Sequence, residues 1–533
     1  MSKEENIKKT GKKYKKPTKQ SIDILEKRNK ELRNRETNII SFVFAGLFML
    51  MIGYMVYFNY KLAPDILDSP YNRKTEEAQQ EQKVIRGDIL AYDGSVLATT
   101  EVDEEGNETR YYPFDNIFCH VIGLSSAKTG IEGSQNKNLS SAPKNILSQV
   151  SEEDGEKAQG NTIITSLIPE LQEAAYDALG SNKGAVIAME PSTGRILAMV
   201  SKPDYDPNLA PTDYTEWLTY SSKDSVLLNR ATQGLYAPGS TFKIMTALEY
   251  LRENGDDSNF SYRCSGSAYI EGGTTIPCFD NTAHGYETLT TAFANSCNSA
   301  FSTIGAQLNK AKFRDLCTTF LFNSSLPIEI EYSKSSFNLD ADSGISEAQE
   351  TGIGQGKTMM SPLHNLLIAA TVANDGIMIK PTIVDRVQDS EGTILEETEP
   401  EDVVRAITAD EADTVTDYMR AVVTQGTGYA FRNSWYNAAG KTGSAQYDSS
   451  SNVHSWFAGF APVDDPKFVI YVIIDEPDGT TGTSGRSGDV LTLSHDILTD
   501  LLPYMNVYKD IQAEEVDTSE AEVEQTVHTD IEN

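Results

Sequence analysis

The chain has 533 residues, 39% of them hydrophobic, and a formal net charge of −33. That length exceeds one ordinary domain and suits two or three with a sizeable core. The charge is unevenly spread: residues 1–36 hold 13 Lys and Arg against 6 Asp and Glu, so the remaining chain carries −40. Between Thr37 and Tyr60 no residue is charged, and Ile39–Phe58 is almost wholly apolar. Twenty helical residues span roughly 30 Å, the thickness of a bilayer core. The stretch is longer than the apolar region of a cleavable signal peptide, and it ends in Tyr57, Phe58, Asn59 and Tyr60 rather than a small-residue cut site. The expectation is an uncleaved transmembrane helix over 37–60. The basic tail 1–36 then stays in the cytoplasm and everything from Lys61 lies outside the cell. A basic head beside an anchor speaks for topology rather than for nucleic-acid binding.

Residues 61–85 read as a polar linker. RGDILAYDGSVLAT, from Arg86, predicts a hairpin turning at Asp93-Gly94. Residues 99–160 are polar, with apolar islands at Ile117–Leu124 and Ile146–Val150. Together, 61–160 are expected to form a linker and a small, mostly-β support domain with little core of its own. The composition changes near Thr162. IPELQEAAYDALG has helical spacing, with Gly180 as C-cap. GAVIAMEPSTGRILAMV reads as two strands about a Pro-Ser-Thr-Gly turn. Helical patterns follow at Phe242–Leu251, Leu289–Leu308 and Leu363–Ala373, then strands at Gly440–Gln446, His454–Phe460 and Phe468–Ile474. Strands, then helices, then strands predict an α+β domain over 161–507, with an antiparallel sheet flanked by helices. Residues 508–533 are predicted to be a disordered acidic tail, with nine acidic residues from Asp510 onward.

Five Cys stand at 119, 264, 278, 297 and 317, with no C-x-x-C pair, and the six His include no H-E-x-x-H. On that spacing no metal site is expected. Cys264 and Cys278 bracket a turn-rich stretch and are candidates for a disulfide, which would stabilise by roughly 3 kcal/mol, or for two buried thiols.

APGSTFKIMTALEYL puts Ser240 at a helix start and Lys243 one turn on. Residues at i and i+3 share a helix face, so the amine can reach the hydroxyl. A serine hydroxyl needs an adjacent base, and lysine serves only if its pKa falls toward working pH. Ser-x-x-Lys by itself carries little information here. It recurs at Ser125/Lys128, Ser134/Lys137 and Ser141/Lys144, and Lys-Thr-Gly recurs at Lys128–Gly130. Those copies crowd into one polar loop. The set Ser240-Thr-Phe-Lys243, Ser296-Cys-Asn298 and Lys441-Thr-Gly443 instead falls on three separate predicted elements. In this constellation Ser240 is the nucleophile and Lys243 its base. Ser296 relays a proton to the leaving group, and Asn298 holds a substrate amide. Lys441 adds positive charge for a substrate carboxylate and depresses the pKa of Lys243. Thr442 belongs to the same wall, Gly443 lets a peptide lie along the strand, and the N–H groups of Ser240 and Ser444 form an oxyanion hole.

These three motifs in this order are the signature of penicillin-binding proteins and serine β-lactamases. NRATQGLYAPGSTFK, AFANSCNSAF, GIGQGKTMMSPLHNLLIAATVANDG, VVTQGTGYA, AGKTGSAQ and HSWFAGFAP resemble transpeptidase blocks, and RGDILAYDGSVLA is similar to class B members. The resemblance covers most of 86–480. It implies a non-catalytic pedestal below a transpeptidase domain, of the shorter division- or growth-associated type. It further implies that Ser240 is acylated by a D-Ala-D-Ala stem peptide, that an amine of a neighbouring stem accepts the acyl group, and that β-lactams acylate the same serine. No cofactor is expected. A SEDS-type glycosyltransferase and other cell-wall or divisome components are the implied partners. A D,D-carboxypeptidase, with water as acceptor, and a penicillin-binding sensor are the alternatives. Two departures stand out: Ser444 replaces the usual Thr, and RSGDVLTLSHDI after Gly485 matches the family poorly.

Overall fold

The computed structural model describes residues 19–58, 84–142, 157–219, 225–446, 453–475 and 490–499. Residues 1–79 and 80–533 are two separate units. In the first, helix α1 runs over Lys19–Tyr57, beginning well before the predicted apolar segment. Its described apolar side chains, Phe42, Met49 and Leu50 among them, are exposed. Among the described residues no helix is long and apolar enough to cross a membrane. The basic tail up to residue 18, the linker 61–83, the island Ile146–Val150 and the acidic tail 508–533 lie outside the described residues.

The second unit opens with the predicted hairpin. Strands β1 (Ile89–Leu90) and β2 (Val96–Val102) flank a turn in which Gly94 takes φ +85° and the Asp93 carboxylate accepts from the Ser95 N–H at 2.9 Å. Strand β3 (Glu108–Tyr111) pairs antiparallel with β2. The island at 117–124 becomes a buried turn of helix at Cys119–Ile122. Strand β4 (Thr162–Thr165) runs parallel to β1. The support domain, expected to have little core of its own, takes part of its sheet from the second half of the chain. Strands β9 (Val384–Gln388) and β10 (Ile394–Glu397), more than 200 residues on, complete one six-stranded sheet in the order β10-β9-β4-β1-β2-β3. Ile89, Leu97 and Ile163 share a core with Val384 and Val387. The predicted boundary at 160/161 therefore falls at the start of β4, inside a sheet common to both parts. Beneath it, Glu132 is fully buried between Arg86 (2.6 Å) and Arg110 (2.7 Å) and accepts from the Tyr112 hydroxyl at 3.3 Å.

The catalytic half is built on a second sheet. After helix α2 (Pro169–Leu179), capped by Gly180, come β5 (Gly184–Met189) and β6 (Ile196–Lys202). They join β11 (Ala439–Gln446), β12 (Val453–Ala461) and β13 (Phe468–Ile474) in the antiparallel order β11-β12-β13-β5-β6. Both faces are covered, so every residue of β5 and β13 is buried. Val186, Ala188, Ile470 and Val472 face α2 and a helix over 490–499. Ile187, Met189, Val469 and Tyr471 face the larger core. That core also holds α3 (Lys243–Asn254), α5 (Asn298–Gln307), α6 (Pro362–Ala373) and α7 (Ala409–Gln425). The apolar pattern 289–308 splits into α4 (Leu289–Ala294) and α5, because Ser296 between them takes φ +52°.

Candidate active site

The three distant motifs meet in one cleft of about 250 Å³, lined by Ser240, Ser296, Asn298, Thr442, Gly443 and Ser444. Each sits where its local sequence dictates. Pro238 and Gly239 lead into a 3₁₀ turn, Gly239–Phe242, that runs directly into α3. In a 3₁₀ turn residues three apart are nearly eclipsed, so Ser240 and Lys243 stand one above the other. Gly239 has φ +53°, and a Cβ there would lie 2.6 Å from the Ser444 carbonyl oxygen. The nucleophile turn thus abuts strand β11 at a distance only glycine allows.

Lys243 is fully buried. Its ammonium donates to the Ser296 carbonyl at 2.7 Å, the Ser296 hydroxyl at 3.1 Å and the Asn298 Oδ1 at 2.8 Å. The left-handed backbone at Ser296 turns its carbonyl and its hydroxyl toward the same nitrogen, a conformation a non-glycine residue adopts at some cost. Burial lowers the Lys243 pKa to about 7, against a smaller opposing pull from the sulfurs of Cys297 and Cys278. The amine is therefore poised to act as a base near neutral pH. Asn298 also donates from Nδ2 to the Pro277 carbonyl at 3.1 Å. One of its amide hydrogens is thus engaged within the protein, leaving the other for a substrate.

Two expectations change. Lys441 is fully buried beneath the cleft rather than on its wall, donating to the Thr442 carbonyl at 3.1 Å with its nitrogen 5.6 Å from the Phe293 ring centre. It therefore does not grip a carboxylate directly. Burial, then repulsion from Lys243, hold its pKa well below the ordinary range. The depression of Lys243 comes from burial rather than from Lys441. Gly443 is explained by packing as well as by access. A Cβ there would lie 1.7 Å from the Trp456 Nε1, its cross-strand partner. Trp456 is the largest fully buried side chain.

The cleft contains residues that the motifs alone do not single out. Thr427, in the VVTQGTGYA block, lies 2.7 Å from the Thr442 hydroxyl and lines the wall, as do Gln355 and Asn295. Phe279, Thr282 and His284 line the cleft as well. The Ser-x-x-Lys copies at Ser125/Lys128 and Ser134/Lys137 lie in the pedestal and do not line the cleft, and Lys144 of the third copy lies outside the described residues. Of the two readings open for Cys264 and Cys278, the structure has the pair of buried free thiols, with sulfurs 3.6 Å apart rather than the roughly 2.0 Å of a disulfide. Sequence spacing offers no reason to expect a metal site, yet Cys264, Cys278, His284 and Cys297 place their ligand atoms within 4.8 Å of one another.

Residues 184–492 match the penicillin-binding protein transpeptidase domain, and residues 86–163 match the penicillin-binding protein A dimerisation domain. The peptidoglycan D,D-transpeptidase PbpA of Mycolicibacterium smegmatis is 31% identical over 436 residues, covering 76% of this chain and 86% of that protein. The peptidoglycan D,D-transpeptidase MrdA of Acinetobacter baumannii is 28% identical, covering 75% of this chain and 68% of its own. Among solved structures, the D,D-transpeptidase domain of a peptidoglycan glycosyltransferase from Eggerthella lenta superposes with TM-score 0.71 at 28% identity, covering 80% of this chain and all of that one. The ceftriaxone acyl-enzyme of penicillin-binding protein A from Mycobacterium tuberculosis gives 0.72 at 26% identity, covering 79% and 99%. With the serine, the buried lysine and the Lys-Thr-Gly strand assembled as described, the chain belongs to the penicillin-binding transpeptidase family, with a class B pedestal.

Proposed function

We propose that the chain is a peptidoglycan D,D-transpeptidase with Ser240 as its acylated residue. The carrying observation is the Lys243 amine, buried one turn from Ser240 and held between Ser296 and Asn298. Neutral Lys243 takes the Ser240 proton as Oγ attacks the carbonyl of the penultimate D-Ala. The N–H groups of Ser240 and Ser444 receive the oxyanion, a contribution of about 3–4 kcal/mol for one donor. The C–N bond to the terminal D-Ala breaks, and Ser296 gives its proton to the departing amine while taking the one held by Lys243, which returns to its neutral form. An amine of a neighbouring stem then attacks the ester, and Ser240 regains its proton. A β-lactam ring follows the same first half and stops at the acyl-enzyme. Relatives named as D,D-transpeptidases and a relative captured as a β-lactam acyl-enzyme support this reading.

The same proposal places the catalytic unit outside the cell, tethered by 37–60 and oriented by the basic tail. Exposed Phe42, Leu47, Phe48 and Met49 on α1 support it, because such side chains in water carry a large hydrophobic cost. A SEDS-type glycosyltransferase is the partner expected to supply glycan strands. Labelling with fluorescent penicillin, followed by peptide mass spectrometry, tests the assignment. The adduct is expected on Ser240 and is lost in Ser240→Ala. An adduct elsewhere, or label retained by the variant, overturns it. D-Ala release with and without an amine acceptor separates transfer from hydrolysis.

A further inference from the structure

Four side chains from four separate segments converge behind the cleft. Cys264 ends the strand β7 (Tyr262–Cys264), and Cys278 precedes a 3₁₀ turn at Phe279–Asn281. His284 precedes the strand β8 (Gly285–Glu287), which pairs with β7, and Cys297 caps α5. Cys264 Sγ lies 3.6 Å from Cys278 Sγ and 3.4 Å from His284 Nδ1, and Cys278 Sγ lies 3.8 Å from Cys297 Sγ. A tetrahedral zinc with Zn–S near 2.3 Å and Zn–N near 2.0 Å requires S···S edges of about 3.8 Å and S···N edges of about 3.5 Å. These three edges have that size, and all four ligand atoms lie within 4.8 Å of one another.

The surroundings suit thiolates. The Gly266 N–H points at Cys264 Sγ at 3.5 Å, the Ser299 N–H at Cys278 Sγ at 3.4 Å and the Ala300 N–H at Cys297 Sγ at 3.4 Å. Each sulfur thus has its own backbone donor, the outer-shell arrangement that fixes metal-bound cysteines. Three buried thiols could instead pack as small apolar groups. That alternative accounts neither for an imidazole nitrogen among them nor for three aimed N–H groups.

We propose that Cys264, Cys278, Cys297 and His284 bind one Zn²⁺ through three Sγ atoms and His284 Nδ1. The three thiols release their protons on binding, and the closed S₃N set leaves no position for water, so the ion is structural. Its place gives it a purpose. Cys297 lies between Ser296 and Asn298, Cys278 follows the Pro277 whose carbonyl holds Asn298, and His284 lines the cleft with Phe279 and Thr282. The ion ties the 278–284 rim to the turn that orients Lys243.

The full chain, purified under reducing conditions without a metal-affinity resin, is expected to carry about one zinc by elemental analysis. Exchange with Co²⁺ is expected to give thiolate-to-cobalt charge transfer and the visible bands of tetrahedral cobalt. Cys264→Ser and His284→Gln lower the zinc content, while Cys317→Ala, outside the cluster, keeps it. Chelation lowers fluorescent-penicillin labelling of Ser240 by about 10-fold or more, and added Zn²⁺ restores it. Wild-type protein with under about 0.1 zinc per chain and no binding of added Zn²⁺ or Co²⁺ overturns the proposal, as does a Cys264–Cys278 disulfide found in its place. Metal content is read without reference to activity. Failure of Ser240 to label in metal-loaded protein counts against the transpeptidase reading alone.

Discussion

The acylation rate of Ser240 is expected to rise with pH through an inflection near 7, set by Lys243. Burial brings that amine down to about 7 from an ordinary 10.5. At pH 7 roughly half of it is neutral, against about one part in 3,000 for an unperturbed lysine, so the environment supplies some three decades of active base. Only the neutral amine accepts the Ser240 proton, which fixes the sign: activity grows as pH rises and falls as it drops. Stability follows the same direction. Folding favours the uncharged amine, so its contribution is fully present above 10.5 and is lost as pH falls toward 7, a swing of roughly 5 kcal/mol. The assay is the second-order rate of acylation by a fluorescent penicillin from about pH 5.5 to 9, with Lys243→Arg beside wild type. The guanidinium stays charged throughout, so the variant is expected to lose at least about 10³ in rate. A flat wild-type profile, an inflection near 10, or an active Lys243→Arg protein refutes the role given to burial.

Gly443→Ala drives a methyl into the Trp456 indole, where the contact would be 1.7 Å, and is expected to cost about 1–3 kcal/mol and most of the labelling. Adding Trp456→Leu makes room and should recover part of the stability, which thermal unfolding of the two single variants and the double variant measures. Glu132→Ala leaves Arg86 and Arg110 without their shared buried carboxylate and is expected to destabilise by about 3–5 kcal/mol. Because Glu132 lies in the pedestal, the protein that remains folded should label at Ser240 at the wild-type rate.

Local pattern carried much of this fold. The Asp93-Gly94 turn, the helix closed by Gly180, the strand pair about Pro191–Gly194 and the strand Phe468–Ile474 all stand where alternation, capping residues or turn chemistry put them. What escaped was long-range. No periodicity in Val384–Gln388 says that it pairs with Thr162–Thr165, so a boundary drawn at 160/161 cuts a sheet that both parts share. Motif spacing selected Ser240, Lys243, Ser296 and Asn298, because each motif sits on its own element. The depth of Lys441 and the Trp456 contact of Gly443 depend on cross-strand register, which a single strand does not encode. Thr427 sat in a recognisable block without a role until its hydroxyl met that of Thr442. The Cys and His set escaped for a related reason. Intervals of 14, 6 and 13 residues between Cys264, Cys278, His284 and Cys297 match no short ligand motif, and two small hairpins are needed to bring them together.

The lysines show how the site avoids a conflict that ion pairing would create. Among the described residues neither Lys243 nor Lys441 pairs with a carboxylate, although both are fully buried. A buried partner carboxylate would hold Lys243 protonated and remove the base. Hydrogen bonds to the neutral Ser296 and Asn298 orient the nitrogen without that penalty. Repulsion from Lys243 adds to burial in holding Lys441 below the ordinary lysine range, so its charged form is disfavoured beside a charged Lys243. Once Lys243 takes the Ser240 proton it becomes a buried cation with no carboxylate partner among the described residues. The oxyanion that develops on the substrate carbonyl then supplies an opposite charge in the same cleft. The charge is therefore best stabilised when the transition state is formed, which is the condition for a faster chemical step rather than for tighter binding of substrate.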